Sequence, residues 1–331
     1  MHASIKSADI VSSIGSQWPP VPTFDSRLAG LYPKYVEPRG INDLISDFRD
    51  YNFGMQLRNS GPNSRLVVGA VMSNNATEQI AEIMPSYIEA AVPLTGGYED
   101  NNLVFIGSAH TGRNSLHPDL IENYQENIEA TKKIQPISPV ITTAESHNLI
   151  PHIAKPDIDD QAFEQLEQLQ RFTKFGKISL SSIIRKSNNA IMYLTDEERN
   201  IVALAGAECL SANIKDLGRV NVIEFTGTAV RHDYANKGYH RIASSSLIKY
   251  IKDRSSKYDA RVHAIYSEYS LESGSQEALE ANVENGWQLS YFDNTKFNID
   301  NNKRSTPFGI LPHHASINGI LQSFAVGYLH I

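Results

Sequence analysis

The chain has 331 residues, 41% hydrophobic and 20% charged, with 30 basic and 37 acidic side chains and a net charge of −7. At about 150 residues per domain the length suggests two domains, and the apolar fraction excludes wholesale disorder. The acidic balance argues against a surface built to grip nucleic-acid phosphates. A lone cysteine, Cys209, excludes an internal disulfide and fits a reducing compartment. Met1 to Val11 carries Lys6 and Asp9 and has no signal-peptide pattern. No stretch approaches about 18 consecutive apolar residues, so a soluble cytoplasmic protein without membrane partners is expected.

Residues 1–60 read as an irregular, proline-rich extension, because Trp18-Pro-Pro-Val-Pro22 restricts its own and the preceding backbone. A compact unit is expected over 61–158. Its apolar run Arg65 to Met72 has strand length, Ala76 to Met84 has a helical pattern, and Tyr87 to Val92 and Asn102 to Ile106 read as two further strands. Leu120 to Lys133 reads as a polar helix, and Pro136, Pro139, Pro151 and Pro156 punctuate a connecting stretch.

A second unit is expected over 159–331. Asp159 to Phe172 has apolar residues at helical spacing and acids at its start, which complement the helix dipole. Ala190 to Leu194, a polar turn and Ile201 to Leu210 read as a β-hairpin. Then come a strand over Val220 to Val230, an amphipathic helix over Gly238 to Ile251, a strand over Arg261 to Tyr266 and a helix over Gln276 to Glu284. Gly286 to Phe297 and Ile317 to His330 are strand-like. This order predicts an α/β (α+β) fold with a mixed sheet flanked by helices.

The chemistry concentrates where Val222-Ile-Glu-Phe-Thr-Gly-Thr-Ala-Val230 runs through Arg231-His-Asp-Tyr-Ala-Asn-Lys-Gly-Tyr-His240 into a helix. Unpaired N–H groups at such a helix start form an anion site. Gly238 lets backbone approach a phosphate closely, and Lys237 and Arg241 add positive charge. A pyrophosphate is expected here. The pair His313-His314 does not make a metal site, since no acidic or cysteine partner sits at ligand spacing, and Cys209 reads as a small buried residue rather than a nucleophile.

This segment resembles the GNAT superfamily of N-acetyltransferases, whose acetyl-CoA loop follows Arg/Gln-x-x-Gly-x-Gly/Ala. The matching loop is Ala235 to His240; Tyr234 just before it and Lys237 and Gly238 within it agree, and Ala235, Asn236 and His240 replace family residues. The hairpin with Asp196-Glu-Glu198 in its turn and Ala203 to Ala207 in its return is similar to the family's second and third strands. Val283-Glu-Asn-Gly-Trp287 is similar to its late helix end. Glu89-Ala-Ala-Val-Pro93 with Gly97-Tyr-Glu-Asp100, and later Ala207-Glu208, resemble β-lysine N-acetyltransferases, whose N-terminal domain looks like a degenerate piece of the same fold.

The resemblance implies acetyl-CoA as co-substrate, a small amine or amino acid such as β-lysine as acceptor, and direct transfer between them. Glu224, at the family's spacing before Val230, is the implied general base, with Glu208 as rival base or ammonium ligand. An N–H near Ala229 would meet the oxyanion, and Thr228, Ala229 and Val230 would pair with the pantetheine arm. Asn236, Lys237, Gly238, Tyr239, His240 and Arg241 would hold the pyrophosphate. The family's thiolate-protonating tyrosine position is Asn282 here, leaving Tyr266, Tyr269 or a water as acid. The N-terminal domain would shape the acceptor cleft or a homodimer interface. The altered loop leaves two alternatives, a non-catalytic acyl-CoA-sensing module and an acyltransferase with another acyl donor.

Overall fold

The computed structural model describes residues 28–58, 66–84, 87–108, 144–171, 180, 184, 189–257, 261–270, 286–290, 310–317 and 320–329. The expected helices over 120–133 and 276–284 lie outside these residues.

The first unit is a four-stranded sheet of β1 (Leu28–Leu31), β2 (Leu66–Ser73), β3 (Ile88–Pro93) and β4 (Asn101–Ser108), in the order β1-β2-β4-β3. β1 and β2 are parallel and are joined through helix α1 (Ile41–Arg58). The pairs β2–β4 and β3–β4 are antiparallel. Helix α2 (Asn74–Ile83) follows β2, and the Ser73 hydroxyl caps it by accepting the Ala76 N–H at 3.3 Å. Val68, Ala70 and Met72 of β2 bury against Leu44, Ile45 and Phe48 of α1 and Ile80 of α2. Val67 and Val71 point to the other face and join a second cluster. Burial on both faces explains why β2 reads as an unbroken apolar run.

The opening segment departs from expectation. Residues 28–58 hold β1, a 3-10 turn at Pro38–Gly40 and α1. Pro38 occupies the first helical turn, where its missing N–H has no intrahelical partner to lose. Ile41, Leu44, Ile45 and Phe48 recur at helical spacing, and all are buried.

The second unit is an eight-stranded sheet. It contains β5 (Ile150–Ile153), β6 (Ala190–Thr195), β7 (Ile201–Ile214), β8 (Gly218–Val230), β9 (Ala264–Ser270), β10 (Gln288–Leu289), β11 (Ile310–Ile317) and β12 (Ile320–Leu329). Its order is β10-β12-β9-β8-β7-β6-β5, with β11 beside β12. β5 precedes the boundary expected near residue 158 and carries Pro151 on the sheet edge, where a missing N–H is tolerated. Helix α3 (Asp160–Arg171) covers one face and helix α4 (Tyr239–Lys257) the other. β8 and β9 are parallel, joined through α4, whereas the other pairings are antiparallel.

The path of β1, α1, β2, β3 and β4 repeats that of β8, α4, β9, β10 and β12. In each, a crossover helix joins two parallel strands and the last strand lies between the second and third. The two sheets share a core in which Leu31, Val67, Val71, Ala90, Leu103 and Phe105 meet Ile214, Val220, Val222, Ala264, Tyr266 and Val326. Polar clips reinforce it. The Ser290 hydroxyl bridges the main chain of Ala91, the Thr95 N–H reaches His263 O at 2.8 Å, and the Tyr98 hydroxyl donates to Leu217 O at 3.0 Å.

The two copies differ at the opening between their parallel strands. In the first, chain from Tyr32 to Val36 runs on beside β2, with Tyr32 N–H to Gly69 O at 2.7 Å, Val36 N–H to Val71 O at 3.0 Å and Ser73 N–H to Val36 O at 3.1 Å. Those bonds zip the first opening shut. Among the described residues no segment closes the second in this way.

Candidate functional site

The face of the large sheet opposite α4 is covered at two places. Leu204 and Ala229 pack under Leu166 and Leu169 of α3. Val220, Val222, Leu210 and Ala212 pack under the small sheet. Side chains alternate along a strand, so Gly206 and Glu208 of β7 and Glu224 of β8 lie on this face between the two covers. The β7–β8 register places Glu208 and Glu224 directly opposite each other. Glu224 is buried, Glu208 half-buried. The Tyr266 hydroxyl, from the register partner on β9, donates to Glu224 Oε2 at 2.8 Å.

Just beyond Glu224 the pairing changes. Ala207 pairs with Phe225 and Gly206 with Gly227, so Thr226 is an extra residue that bulges β8. The parallel ladder with β9 ends at Phe225 and Ser267, where the Ser267 hydroxyl donates to Phe225 O at 3.2 Å. β8 stays with β7 to Val230 and β9 stays with β12 to Ser270. The two strands therefore part and leave a wedge. Arg231 N–H is bonded to Val202 O at 2.9 Å. Alternation of main-chain groups in an antiparallel pair then turns Ala229 toward β7 and Thr228 and Val230 toward the wedge. The wedge-facing groups next to Ala229 are therefore those of the two residues flanking it.

The loop from Arg231 to α4 lies at the end of β8. Asn236 (φ 61°) and Gly238 (φ 75°) are both left-handed, a conformation that draws successive N–H groups into an anion-binding concavity. Among the described residues, no hydrogen bond to the main-chain N–H groups of residues 236–240 is seen. The space in front of Gly238 is open, with nothing within 4 Å of an added Cβ.

Arg241 N–H is taken by Gly238 O at 3.0 Å, and the Tyr239 side chain is core, packed near Tyr234 and His147. Only the Tyr239 main chain faces the loop's task. Burial, with Arg241 beside it, holds the His240 imidazole below its usual range, and its Nε2 is buried with no hydrogen-bond partner among the described residues.

Tyr234 anchors the loop. Its hydroxyl donates to Asp196 Oδ2 at 2.8 Å, while Arg231 and Lys237 each lie 4.6 Å from its ring. Asp196 also accepts from the Asn200 N–H at 2.8 Å, so the β6–β7 turn is tied to the loop. Reading the sequence assigned Asp196 only to a turn. Its pairing with Tyr234 crosses elements and has no local signature. Position Asn282 lies outside the described residues, as does the side chain of Tyr269. Tyr266, expected as a candidate acid, has its hydroxyl bonded to Glu224. Among the described residues no group of three His, Cys, Asp or Glu side chains is placed to hold a metal, and no helix is long and apolar enough to cross a membrane.

No family model matches the chain, and no curated protein matches its sequence. Solved structures do. One is Arabidopsis thaliana NAA60 in complex with acetyl-CoA, at 13% identity and TM-score 0.41, over 55% of this chain and 98% of that one. Another is the ribosomal-protein-S18-alanine N-acetyltransferase from Escherichia coli, at 12% identity and TM-score 0.36, over 54% of this chain and 93% of that one. A chimera of the spermidine N-acetyltransferase SpeG from Vibrio cholerae with hSSAT is similar at 16% identity and TM-score 0.36, over 55% and 95% of the two chains.

Proposed function

We propose that the protein is an acetyl-CoA-dependent N-acetyltransferase that acetylates a small amine or amino acid, with Glu224 as general base. One observation carries this reading. Two parallel strands part beside a loop of left-handed turns with open amides, and a buried carboxylate sits where they part.

The main-chain N–H groups of Asn236, Lys237, Gly238, Tyr239 and His240 suit a pyrophosphate, with Lys237 as an added cation. Thr228 and Val230 present alternate main-chain groups to which the amides of a pantetheine arm pair as a strand would. That seats the thioester near the bulge at Thr226, within the gap that holds Glu224 and Glu208. A lysine-type amine has a solution pKa of about 10.4 and must lose a proton to attack. Glu224 takes that proton, and the neutral amine nitrogen then bonds to the acyl carbon. As the carbon–sulfur bond breaks, the nitrogen gives up a second proton, which reaches the departing coenzyme A thiolate through water. A wedge-facing N–H from Thr228 or Val230 meets the oxyanion as charge develops. Glu208 serves the incoming ammonium. β-Lysine is the acceptor suggested by the sequence resemblance.

The sensing alternative rests on the replaced loop residues. Asn236 keeps the left-handed turn that glycine usually supplies, as asparagine readily does, so the loop's shape survives the replacement. The deciding experiment is calorimetry with acetyl-CoA and desulfo-CoA, then thiol release against a panel of amines. Turnover with an amine supports acetylation. Tight donor binding without turnover on any amine supports the sensor, and turnover only with a longer acyl-CoA or an acyl carrier protein supports the other-donor reading.

A further inference from the structure

We propose that Tyr266 is a positioning residue for Glu224, and that the N-terminal sheet sets the base by holding Tyr266 through Phe105. The proposal rests on the acetyltransferase reading. It adds to that reading a role for the first half of the chain in the chemistry of the second.

Tyr266 is fully buried, and its hydroxyl donates to Glu224 Oε2 at 2.8 Å. A carboxylate with one oxygen fixed has its plane and its second oxygen fixed as well. The two residues form the next-to-last rung of the parallel ladder, one step before the strands part. The base is thus held at the apex of the wedge. The Tyr266 ring has one rotatable bond that would swing its hydroxyl away, and Phe105 blocks it. The two rings meet edge to face, with centroids 4.9 Å apart and planes at 84°, a preferred aromatic geometry.

Phe105 is itself fully buried at the centre of β4. Its register partners are Gly69 on β2 and Ala90 on β3, both too small to crowd the ring. Among the described residues, the Tyr32–Val36 segment closes the opening between the small sheet's parallel strands. The sheet's contribution to the site is this face. A hydroxyl engaged with the carboxylate is poorly placed to protonate a thiolate in the wedge, so positioning accounts for Tyr266 better than acid catalysis does.

Donation from a hydroxyl to the carboxylate favours the charged base over the protonated one. Among the described residues, other ionisable groups on this side include Glu208 on β7, Glu268 two residues beyond Tyr266, Tyr328 across from it on β12, Tyr35 and Tyr98 at the edge of the shared core, and Glu89, whose carboxylate lies over Gly107 on the Phe105 face of β4. None is altered by deleting the hydroxyl, so the difference between parent and Tyr266→Phe isolates the single bond.

The test uses the full chain with Tyr266→Phe, Phe105→Leu and the double variant. Tyr266→Phe should lower kcat about 10-fold or more, as for a lost hydrogen bond to a charged group. KM for acetyl-CoA should stay within about twofold, and the acidic limb of the rate profile should move up by about one pH unit. Phe105→Leu should act in the same direction more weakly, and the double variant should be no worse than Tyr266→Phe, because both act through one bond. An unmoved limb with unchanged kcat in Tyr266→Phe, or additive losses in the double variant, overturns the proposal. Carboxyl NMR of glutamate-labelled protein, with the Glu224 signal assigned by Glu224→Gln, reads the same coupling without turnover. The Glu224 titration should move up in Tyr266→Phe and in Phe105→Leu, and identical titrations overturn the proposal. A parent that acetylates no amine sinks the acetyltransferase reading alone, since the NMR titration still decides the role of Tyr266.

Discussion

Replacing Glu224 by glutamine separates chemistry from folding more sharply than any other single change. The side chain is 6% exposed and its partner Tyr266 is fully buried. Glutamine keeps the volume and can still accept the Tyr266 hydroxyl through its carbonyl oxygen, but the bond changes from charged to neutral. That difference is about 1 kcal/mol, and it is offset by removal of one of two carboxylates facing each other across β7 and β8. The unfolding midpoint should therefore barely move. A general base is worth about 10²–10⁴ in rate, or ~2.7–5.5 kcal/mol, so turnover should collapse while the fold persists. Thiol release from acetyl-CoA with an accepted amine, read from pH 7 to 9, measures the first effect, and calorimetry with desulfo-CoA should show unchanged donor affinity. Turnover within about threefold of the parent across that range would remove Glu224 from the mechanism. If Glu208→Gln then shows the loss instead, the base is the neighbouring strand's carboxylate.

Further outcomes follow from the same geometry. Gly238 is at φ 75°, where a side chain costs about 1–2 kcal/mol. Gly238→Val should thus weaken desulfo-CoA binding by about 10-fold in calorimetry, and undiminished affinity would place the anion site elsewhere. A Cβ on Gly107 would collide with the buried Glu89 carboxylate. Gly107→Ala should cost about 1–3 kcal/mol in urea unfolding, part of it recovered by adding Glu89→Ala. His263 is buried, with its imidazole held below the usual range by burial and then by Arg261. Its Nδ1 accepts the Asn221 N–H at 3.0 Å and must be unprotonated to do so. A depressed histidine stabilises the fold above its unfolded pKa of about 6.5, and that stability is lost as pH falls below it. The unfolding midpoint should drop from pH 7.5 to 5.5, and less steeply in His263→Gln. An equal drop in the variant would assign the slope to other groups, such as His152 and His240, which burial also holds low.

The local grammar of the chain was legible without coordinates. The apolar run of β2, the helical spacing of α3, the turn residues Asp196 to Asn200 and the strand–loop–helix around Gly238 each place their element within a few residues, because period and turn chemistry act over short range. Even α1 carries a readable pattern in Ile41, Leu44, Ile45 and Phe48, masked by the prolines around it. Pairing was not legible. That Glu208 faces Glu224, that Tyr266 reaches Glu224, that β8 and β9 part after Phe225, and that the first sheet covers the second through Phe105 all depend on register between distant segments. Register is chosen by which buried faces fit together, a property of the whole core. Residue types therefore pointed to a candidate anion loop and a candidate base, and packing alone decided which of the described main-chain groups are left without a protein partner and which side chain bonds the Glu224 carboxylate.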